Sequence, residues 1–546
     1  MNCAPKAGRR AAAIMGRLLR RQSSVAQAPG LRSYPVIGSM LNLPAENVWH
    51  LQRRAARANA PDIYLMFANG YSKMGHFYTM GFPGVGEGVH GTIYICSDPE
   101  EYVQVIRGEG LHPSGAVETQ WPSISALKRM PGADEPGGAT RGALNIFGHG
   151  EAWRQERMFF QQDLQTPKAA RGYIPGLAKA AQLASRGAPA CADSMDSFAA
   201  RSSFDLFTAA FFGQLIESAD PATPSLPGNL EFAEAILDAT MLLVPMLQSP
   251  VEMLKDRVGV ESADARLLRD KFSVTMEHAS GLVRSFVERW EAGELNKYEQ
   301  ASYLRAALDR RLKNEHVTEE ALVGISFILL AASVDTTSSL VNWTLLQLAV
   351  DREAQRKLAA ELQRELGVGG SLTPEVTQSG RGQWLPYLRS VVREVHRMRP
   401  SIPVSLMKRT ATEVDMCGYT VPAGSLVMLD SFSPQNDPAL VPDAHEFRPE
   451  RWLPDAVAGR KGTAAEVIDH PLLRAPFSAG ARMCPGNKIA NFELLTMVVQ
   501  LVQDWEFELE DASITSLLDI PYHQGTTVQP QPMPNFVFRK RRPATA

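Results

Sequence analysis

The stretch "PFSAGARMCPGNKIANFELL", residues 476 to 495, sets one cysteine, Cys484, among Gly480, Arg482, Pro485 and Gly486 at the start of a helix-periodic segment. The chain has five cysteines in 546 residues: Cys3, Cys96, Cys191, Cys417 and Cys484. A disulfide framework belongs to small secreted chains with paired cysteines, and a structural zinc site needs a second Cys or His close by. Neither pattern is present. A lone thiol held by a glycine loop at a helix start suits a reactive or metal-binding thiolate. The other four cysteines read as small buried hydrophobes.

Two further sets of residues could do chemistry. The segment from about 319 to 350, "EEALVGISFILLAASVDTTSSLVNWTLLQLAV", is helix-compatible and free of proline. At about 1.5 Å per residue, thirty residues span about 45 Å, so this helix has to cross the interior of a domain. Its middle is apolar all round, as a buried helix should be, yet it carries Ser333, Asp335, Thr336, Thr337, Ser338 and Ser339. Serine and threonine can bond back to the carbonyl four residues earlier. A buried carboxylate is costly unless paired, so Asp335 needs a partner or a task. In "LPYLRSVVREVHRMRP" (385–400), Glu394 and Arg397 stand three apart on one helix face before Pro400 ends the segment. Alone, such a pair is commonplace.

The elements that must position these groups are mostly helical. "FAARSSFDLFTAAFFGQLI" (198–216) and "NFELLTMVVQLVQDW" (491–505) have helical periodicity, whereas "GTIYICS" (91–97) and the hairpin candidate "MCGYTVPAGSLVMLD" (416–430) are the strand-like material. No internal repeat or long linker interrupts the body, which is read as one large, mainly α domain over 31–546. With 45% hydrophobic residues and a formal charge of −3, the chain is globular and gives no reason to invoke nucleic acid. The first 45 residues hold Lys6, Arg9, Arg10, Arg17, Arg20, Arg21 and Arg32 but no acid. That basic, weakly amphipathic end fits an organelle transit peptide over residues 1–30, with a disordered basic tail as the alternative. Arg17 breaks the one candidate apolar core near the N-terminus, and no 18-residue apolar run is expected anywhere, so no transmembrane helix is predicted.

Taken together, these motifs resemble the cytochrome P-450 superfamily of haem-thiolate monooxygenases, from about residue 30 to the C-terminus. Phe477, Gly480, Arg482, Cys484 and Gly486 match the family's cysteine loop F-x-x-G-x-R-x-C-x-G at every fixed position. Glu394 and Arg397 match its E-x-x-R, and Arg451 in "EFRPERW" matches the arginine that locks to that pair. Asp335 and Thr336 match its acid-alcohol pair, and Trp153 and Arg157 in "AWRQER" match the W-x-x-x-R that meets a haem propionate. The resemblance implies a triangular prism of helices with small β-sheets around haem b, ligated by Cys484. Within the family, "IRGEGLHPSG" (106–115), the central helix and the basic Arg389 and Arg393 look like the mitochondrial, ferredoxin-dependent group.

That likeness implies a lipophilic substrate (a sterol, fatty acid or terpenoid), dioxygen, and electrons from an acidic ferredoxin with its NADPH-dependent reductase. It also implies a mitochondrial location, with a plastid as second choice, and peripheral membrane contact. Arg389, Arg393 and Lys488 are then the ferredoxin-docking residues. Asp335 and Thr336 form the proton relay, and Arg482, Trp153 and Arg157 meet the haem propionates. Gly480 and Gly486 let the backbone turn tightly near the sulfur, and Pro485 suits the first helical position. The substrate pocket is expected from segments 111–121, 232–246, 327–336 and 401–407. Three positions depart from the family: Ala332-Ser333 where a glycine is usual, Met407 where an arginine is usual with Lys408 or Arg409 as substitutes, and Asn487 beside Lys488. A haem-thiolate isomerase or lyase, and a non-catalytic haem sensor, are the alternative readings.

Overall fold

The computed structural model describes residues 28–29, 63–81, 92–114, 121–223, 229–313, 317–378 and 384–542. Apart from residues 28 and 29, the expected transit peptide lies outside the described residues. The fold is mainly α with small sheets, as expected.

Its axis is the 32-residue helix Glu319–Val350. Thr318 opens it: the hydroxyl accepts from the Ala321 amide at 3.0 Å and donates to the Gly137 carbonyl at 2.5 Å, so the start is both capped and tied to a neighbouring loop. The helix ends at Asp351, whose carboxylate accepts from Ala354 N–H at 2.9 Å and so caps the next helix, Arg352–Leu366. Helices Met195–Phe211, Ala139–Phe147, Ala263–Glu291 and Asn487–Asp504 pack around the axis. The approach of Ala139–Phe147 is close enough that a Cβ at Gly324 would lie 2.1 Å from the Ala139 carbonyl oxygen, which leaves room for glycine alone. Contrary to expectation, this helix is long and apolar enough by length and composition to cross a membrane. Most of its apolar window is buried inside the protein, so helix packing accounts for the run without any lipid.

The main sheet has four strands. Thr92–Cys96 pairs antiparallel with Phe77–Gly81 and parallel with Leu426–Leu429, which pairs antiparallel with Met407–Arg409. The hairpin expected over 416–430 is divided. Val414–Met416 folds back on Tyr419–Val421 through Cys417 and Gly418, at φ 48° and 84°, while Leu426–Leu429 joins the larger sheet. A two-residue turn with both φ values positive matches strand twist, so the turn at 417–418 closes the hairpin. A second hairpin, Tyr522–Gln524 with Val528–Pro530, is held against the central helix, where Ser339 and the Trp343 indole donate to the Val528 carbonyl at 2.8 and 2.7 Å.

Candidate active site

A cavity of about 1190 Å³ is lined by the central helix through Leu329, Ala332, Ser333, Thr336, Thr337 and Leu340, and by the cysteine loop through Phe477, Arg482, Cys484 and Gly486. The loop is closed by the Cys484 amide donating to the Phe477 carbonyl at 2.9 Å. Asn487 and Gln165 side chains donate to the Cys484 carbonyl at 2.8 and 3.3 Å. Gly480 has φ +80°, and a Cβ there would lie 2.4 Å from Glu109 Oε2. Gly486 behaves differently: its φ is an ordinary −82°, and a Cβ would meet only Cys484 Sγ at 3.9 Å. Its role is thus to bring an amide to the sulfur, not to adopt a left-handed turn. The helix starts at Asn487 with Gly486 as its cap, so Pro485 precedes the helix instead of occupying its first position. Burial pushes the Cys484 thiol up, while the Gly486 amide and the Arg157 guanidinium pull it down.

Beside the sulfur lies a basic cluster. Arg482 donates to the Pro113 carbonyl at 2.9 Å and the Gly148 carbonyl at 2.5 Å, and its guanidinium stacks 3.9 Å above the Trp153 ring. Arg157 donates to Gln161 at 2.8 Å and to the Met483 carbonyl. The structure therefore places Trp153 and Arg157 behind the loop, where they brace Arg482 and Met483; of the three expected propionate residues only Arg482 reaches the cavity wall. Lys408, which also lines the cavity, stands where the sequence lacks the usual arginine, and it pairs with Glu109 at 2.5 Å. Burial lowers the affinity of Arg482 and Lys408 for their protons, and the mutual repulsion of Lys408, Arg482 and Arg157 lowers it further for Lys408. Glu109 Oε2 also accepts from the Ala481 amide at 3.1 Å, which ties the loop to residue 109.

The expected relay pair is divided. Thr336 lines the cavity and donates to the Ala332 carbonyl at 2.8 Å, the ordinary helical back-bond. Asp335, one position earlier, faces the hairpin 522–530 and accepts from Thr527 at 3.0 Å and from Gln529 at 3.0 Å. Successive helical residues point about 100° apart, and of the two Asp335 falls on the side that meets the hairpin. Burial pushes the Asp335 carboxyl up.

Glu394 and Arg397 form the buried pair expected of them, joined through the Nε–Nη2 edge of the guanidinium by two bonds of 2.9 Å. Glu394 also accepts from Arg451 Nε at 2.8 Å, the Arg448 amide at 3.1 Å and the Trp452 indole at 2.7 Å. Burial pushes this carboxyl up, but Arg397 and Arg451 outweigh it and hold it below the usual range. Trp452 was overlooked in the sequence although it follows Arg451 directly. Glu109 and Glu493 were overlooked as site residues too, and Glu109 stands in the very segment, "IRGEGLHPSG", that marked the resemblance.

Of the expected docking residues, Arg389 and Lys488 are exposed. Arg393 is not presented with them: it pairs with Asp469 at 3.2 Å and lies 3.6 Å over the Trp452 ring, because an apolar ring and a carboxylate stand within its reach. Lining residues come from three of the four expected pocket segments; among the described residues, 232–246 contribute none, and Phe207 and Phe211 do instead. Phe232, Ile236 and Met246 are spent in the core.

Among the described residues no cluster of three or more His, Cys, Asp or Glu could hold a metal. An ion on Cys484 must therefore bring its other ligands with it, as a metal in a macrocycle does. Arg157, Lys408 and Arg482 gathered around Glu109 leave surplus positive charge for anionic groups at the edge of such a ring. The residues fit haem b.

Comparison with known proteins agrees. The cytochrome P450 family model matches residues 115–533. The drimenol monooxygenase of Persicaria hydropiper is 31% identical over 333 residues, 60% of this chain and 61% of its own length. Geraniol 8-hydroxylase of Swertia mussotii is 33% identical over 201 residues, 37% of this chain and 38% of its own. The Drosophila melanogaster protein named "Probable cytochrome P450 49a1" is 27% identical over 460 residues, 83% of this chain and 74% of its own. The matches to the two plant enzymes thus span less than two thirds of those proteins. A family model that runs through the central helix, the Glu394 network and the Cys484 loop alike leaves one assignment: this chain belongs to the cytochrome P450 family.

Proposed function

We propose that the chain is a haem-thiolate monooxygenase, which takes two electrons, two protons and dioxygen, places one oxygen atom in a lipophilic substrate and releases the other as water. Haem with a cysteine thiolate supplies the electron density that favours O–O cleavage. The observation that carries the reading is the cavity wall itself, which holds Cys484, Arg482, Lys408 and Thr336 together. Arg482, braced by Trp153, and Lys408 bind and orient anionic edge groups. Gly480 and the Glu109 clamp hold the loop so that Cys484 Sγ meets the cavity. Thr336 Oγ1 can hold and pass a proton once it turns from the Ala332 carbonyl. Leu329, Leu340, Ile402 and Val404 supply apolar wall for a sterol, fatty acid or terpenoid and exclude water. Two similar plant enzymes carry names that refer to drimenol and geraniol.

For the donor, an acidic iron–sulfur ferredoxin fits the exposed Arg389 and Lys488. Arg389 lies over Trp384, Trp384 stacks on Phe492, and Phe492 is one helical turn from Lys488, so the two charges share one surface. The acid-free N-terminus supports import into mitochondria. The test is anaerobic reduction under carbon monoxide, followed by ferredoxin-driven turnover against a lipid panel. Wild type should give the red-shifted thiolate band and Cys484→Ser should lose it; a band that survives in Cys484→Ser refutes the ligand. Oxygen uptake without any oxygenated product across the panel refutes the activity.

A further inference from the structure

The cysteine loop runs directly into the helix Asn487–Asp504, and nine positions after Cys484 that helix carries Glu493. Glu493 lines the same cavity as Cys484 and is 1% exposed. It has one hydrogen bond, received at Oε2 from Thr337 Oγ1 of the central helix at 3.2 Å, and its Oε1 is buried without a hydrogen-bond partner. Ionisable groups on the elements around it are engaged elsewhere. Asp335 of the central helix bonds to the hairpin, Asp163 of the helix Gln162–Gln165 pairs with Arg310, and Lys488 of its own helix is exposed. Among the described residues no basic side chain of the helices Ile174–Gly187 and Arg352–Leu366, which pack on the same helix, pairs with Glu493. A carboxylate so placed would keep an unshared charge out of water, which is strongly disfavoured, whereas a neutral carboxyl is not. Burial accordingly pushes Glu493 up to about 8. The two acids sense each other: a charge on Glu493 raises the proton affinity of the Cys484 sulfur, and Arg157 acts in the opposite sense.

We propose that Glu493 is a positioning residue for electron entry: a buried carboxyl that acts through the Cys484 sulfur and ties electron uptake by the haem to uptake of one proton. The inference rests on the haem-thiolate reading above. An added electron puts a negative charge on the centre that the sulfur holds. A carboxylate at Glu493 opposes that charge through a poorly screened interior, whereas a neutral carboxyl does not. Such coupling is reciprocal. If ionised Glu493 weakens the affinity for an electron, reduction raises the proton affinity of Glu493 by the same factor. On reduction one electron comes from the iron–sulfur donor and one proton from solvent; on reoxidation that proton returns to solvent. Below about pH 8 the carboxyl is neutral before and after reduction, so the potential does not follow pH. Above it the carboxylate must be re-protonated as the electron enters, so the potential falls as pH rises. Thr337 Oγ1–H, by bonding to the carboxylate, keeps this ionisation from moving higher still.

The test is potentiometry of the haem-loaded protein against pH, with small mediators in place of the protein donor. It compares wild type with Glu493→Gln, which keeps shape and polarity but cannot ionise, and with Glu493→Asp, which can. Between about pH 7 and about pH 10 the reduction equilibrium of wild type should fall about fivefold to tenfold, the lower part of the usual range for coupled sites, while Gln stays within about twofold. Tenfold is about 59 mV for one electron. Asp should keep a fall with pH. Just above pH 8 the reduced-minus-oxidised infrared difference of wild type should gain the carbonyl stretch of a protonated carboxyl, and Gln should lack it. The same pH dependence in wild type and Gln, a flat profile in wild type, or a flat profile in Asp overturns the proposal. So does failure of both variants to load haem, since Glu493 would then be structural. If wild type loads haem yet forms no oxygenated product, the monooxygenase reading has failed, and the potentials still decide the role of Glu493.

Discussion

Glu394→Gln should strip the protein of its haem by unfolding it, and the size of the effect follows from the five donors that converge on one carboxylate. The substitution keeps the shape and removes the charge. Arg397, with its side chain 0% exposed, and Arg451, at 9%, then face an amide in place of an anion. Breaking one buried pair by removing a partner costs about 3–5 kcal/mol. Two cations lean on Glu394, which argues for the upper end. The cost does not double, because Arg397 keeps the Asn436 side chain at 3.1 Å and the Gln435 carbonyl at 3.2 Å, and Arg451 keeps the Pro442 carbonyl at 3.2 Å. The expected loss is about 5 kcal/mol, comparable with the whole stability of many domains. Trp452→Phe removes a single donor to a charged acceptor and should cost about 1.5–3 kcal/mol. Urea unfolding followed by helical circular dichroism gives both values, with Soret absorbance reporting haem content. If Glu394→Gln lies within about 1 kcal/mol of wild type, or if Trp452→Phe costs as much, the carboxylate is not the hub described above.

Thr336→Ala should leave stability and the carbon monoxide band intact but divert electrons from product to peroxide; equal product per electron in variant and wild type refutes a role for Thr336 Oγ1. His396, which lines the cavity, is pushed down to about 4 by burial. Between pH 6.5 and 4 the unfolded chain then binds a proton that the folded one refuses, so stability is full above pH 6.5 and falls by about 3 kcal/mol on acidification. Denaturation midpoints of His396→Phe should lack that part of the acid slope, and an unaltered slope refutes it. Reversing Arg389 and Lys488 to Glu should weaken ferredoxin-driven turnover and its salt dependence while peroxide-driven turnover survives; parallel loss of both would make the residues structural. Gly480→Ala should lower haem content, because its Cβ would meet Glu109 at 2.4 Å in a backbone at φ +80°; normal loading would show that Glu109 moves aside freely.

The parts of the site legible in the sequence are those in which local pattern and chemistry coincide. The Cys484 loop announces itself by two glycines around a lone thiol. The central helix is bounded at 319 and 350 because uninterrupted apolar periodicity and the Thr318 and Asp351 caps agree. Glu394 and Arg397 were visible as a pair, but their burial was not, since the acceptors and donors that enclose them lie some 40 to 60 positions away. Direction is what a sequence conceals. Asp335 and Thr336 are neighbours in the chain, and only the position of the hairpin 522–530 decides which one faces the cavity. Arg393 carries the same charge as Arg389 but falls beside Trp452 and Asp469. Glu493 reads as one acid in an amphipathic helix until the central helix is seen to bring Thr337 against it.

The loop that carries Cys484 is bonded to Glu109, Pro113, Gly148 and Arg157, partners made between 326 and 372 positions earlier. At about 5–20 residues per second, a ribosome needs roughly 20 to 70 s to span 372 residues. For that interval Glu109 and the Trp153–Arg157 segment exist without the loop they are shaped to hold. Glu109, Trp153 and Arg157, buried in the finished protein, lack their loop partners until then. Cofactor capture through Cys484 has to wait until that loop has been made. A message cut short before residue 480 then yields a fragment without the cysteine that would hold the haem.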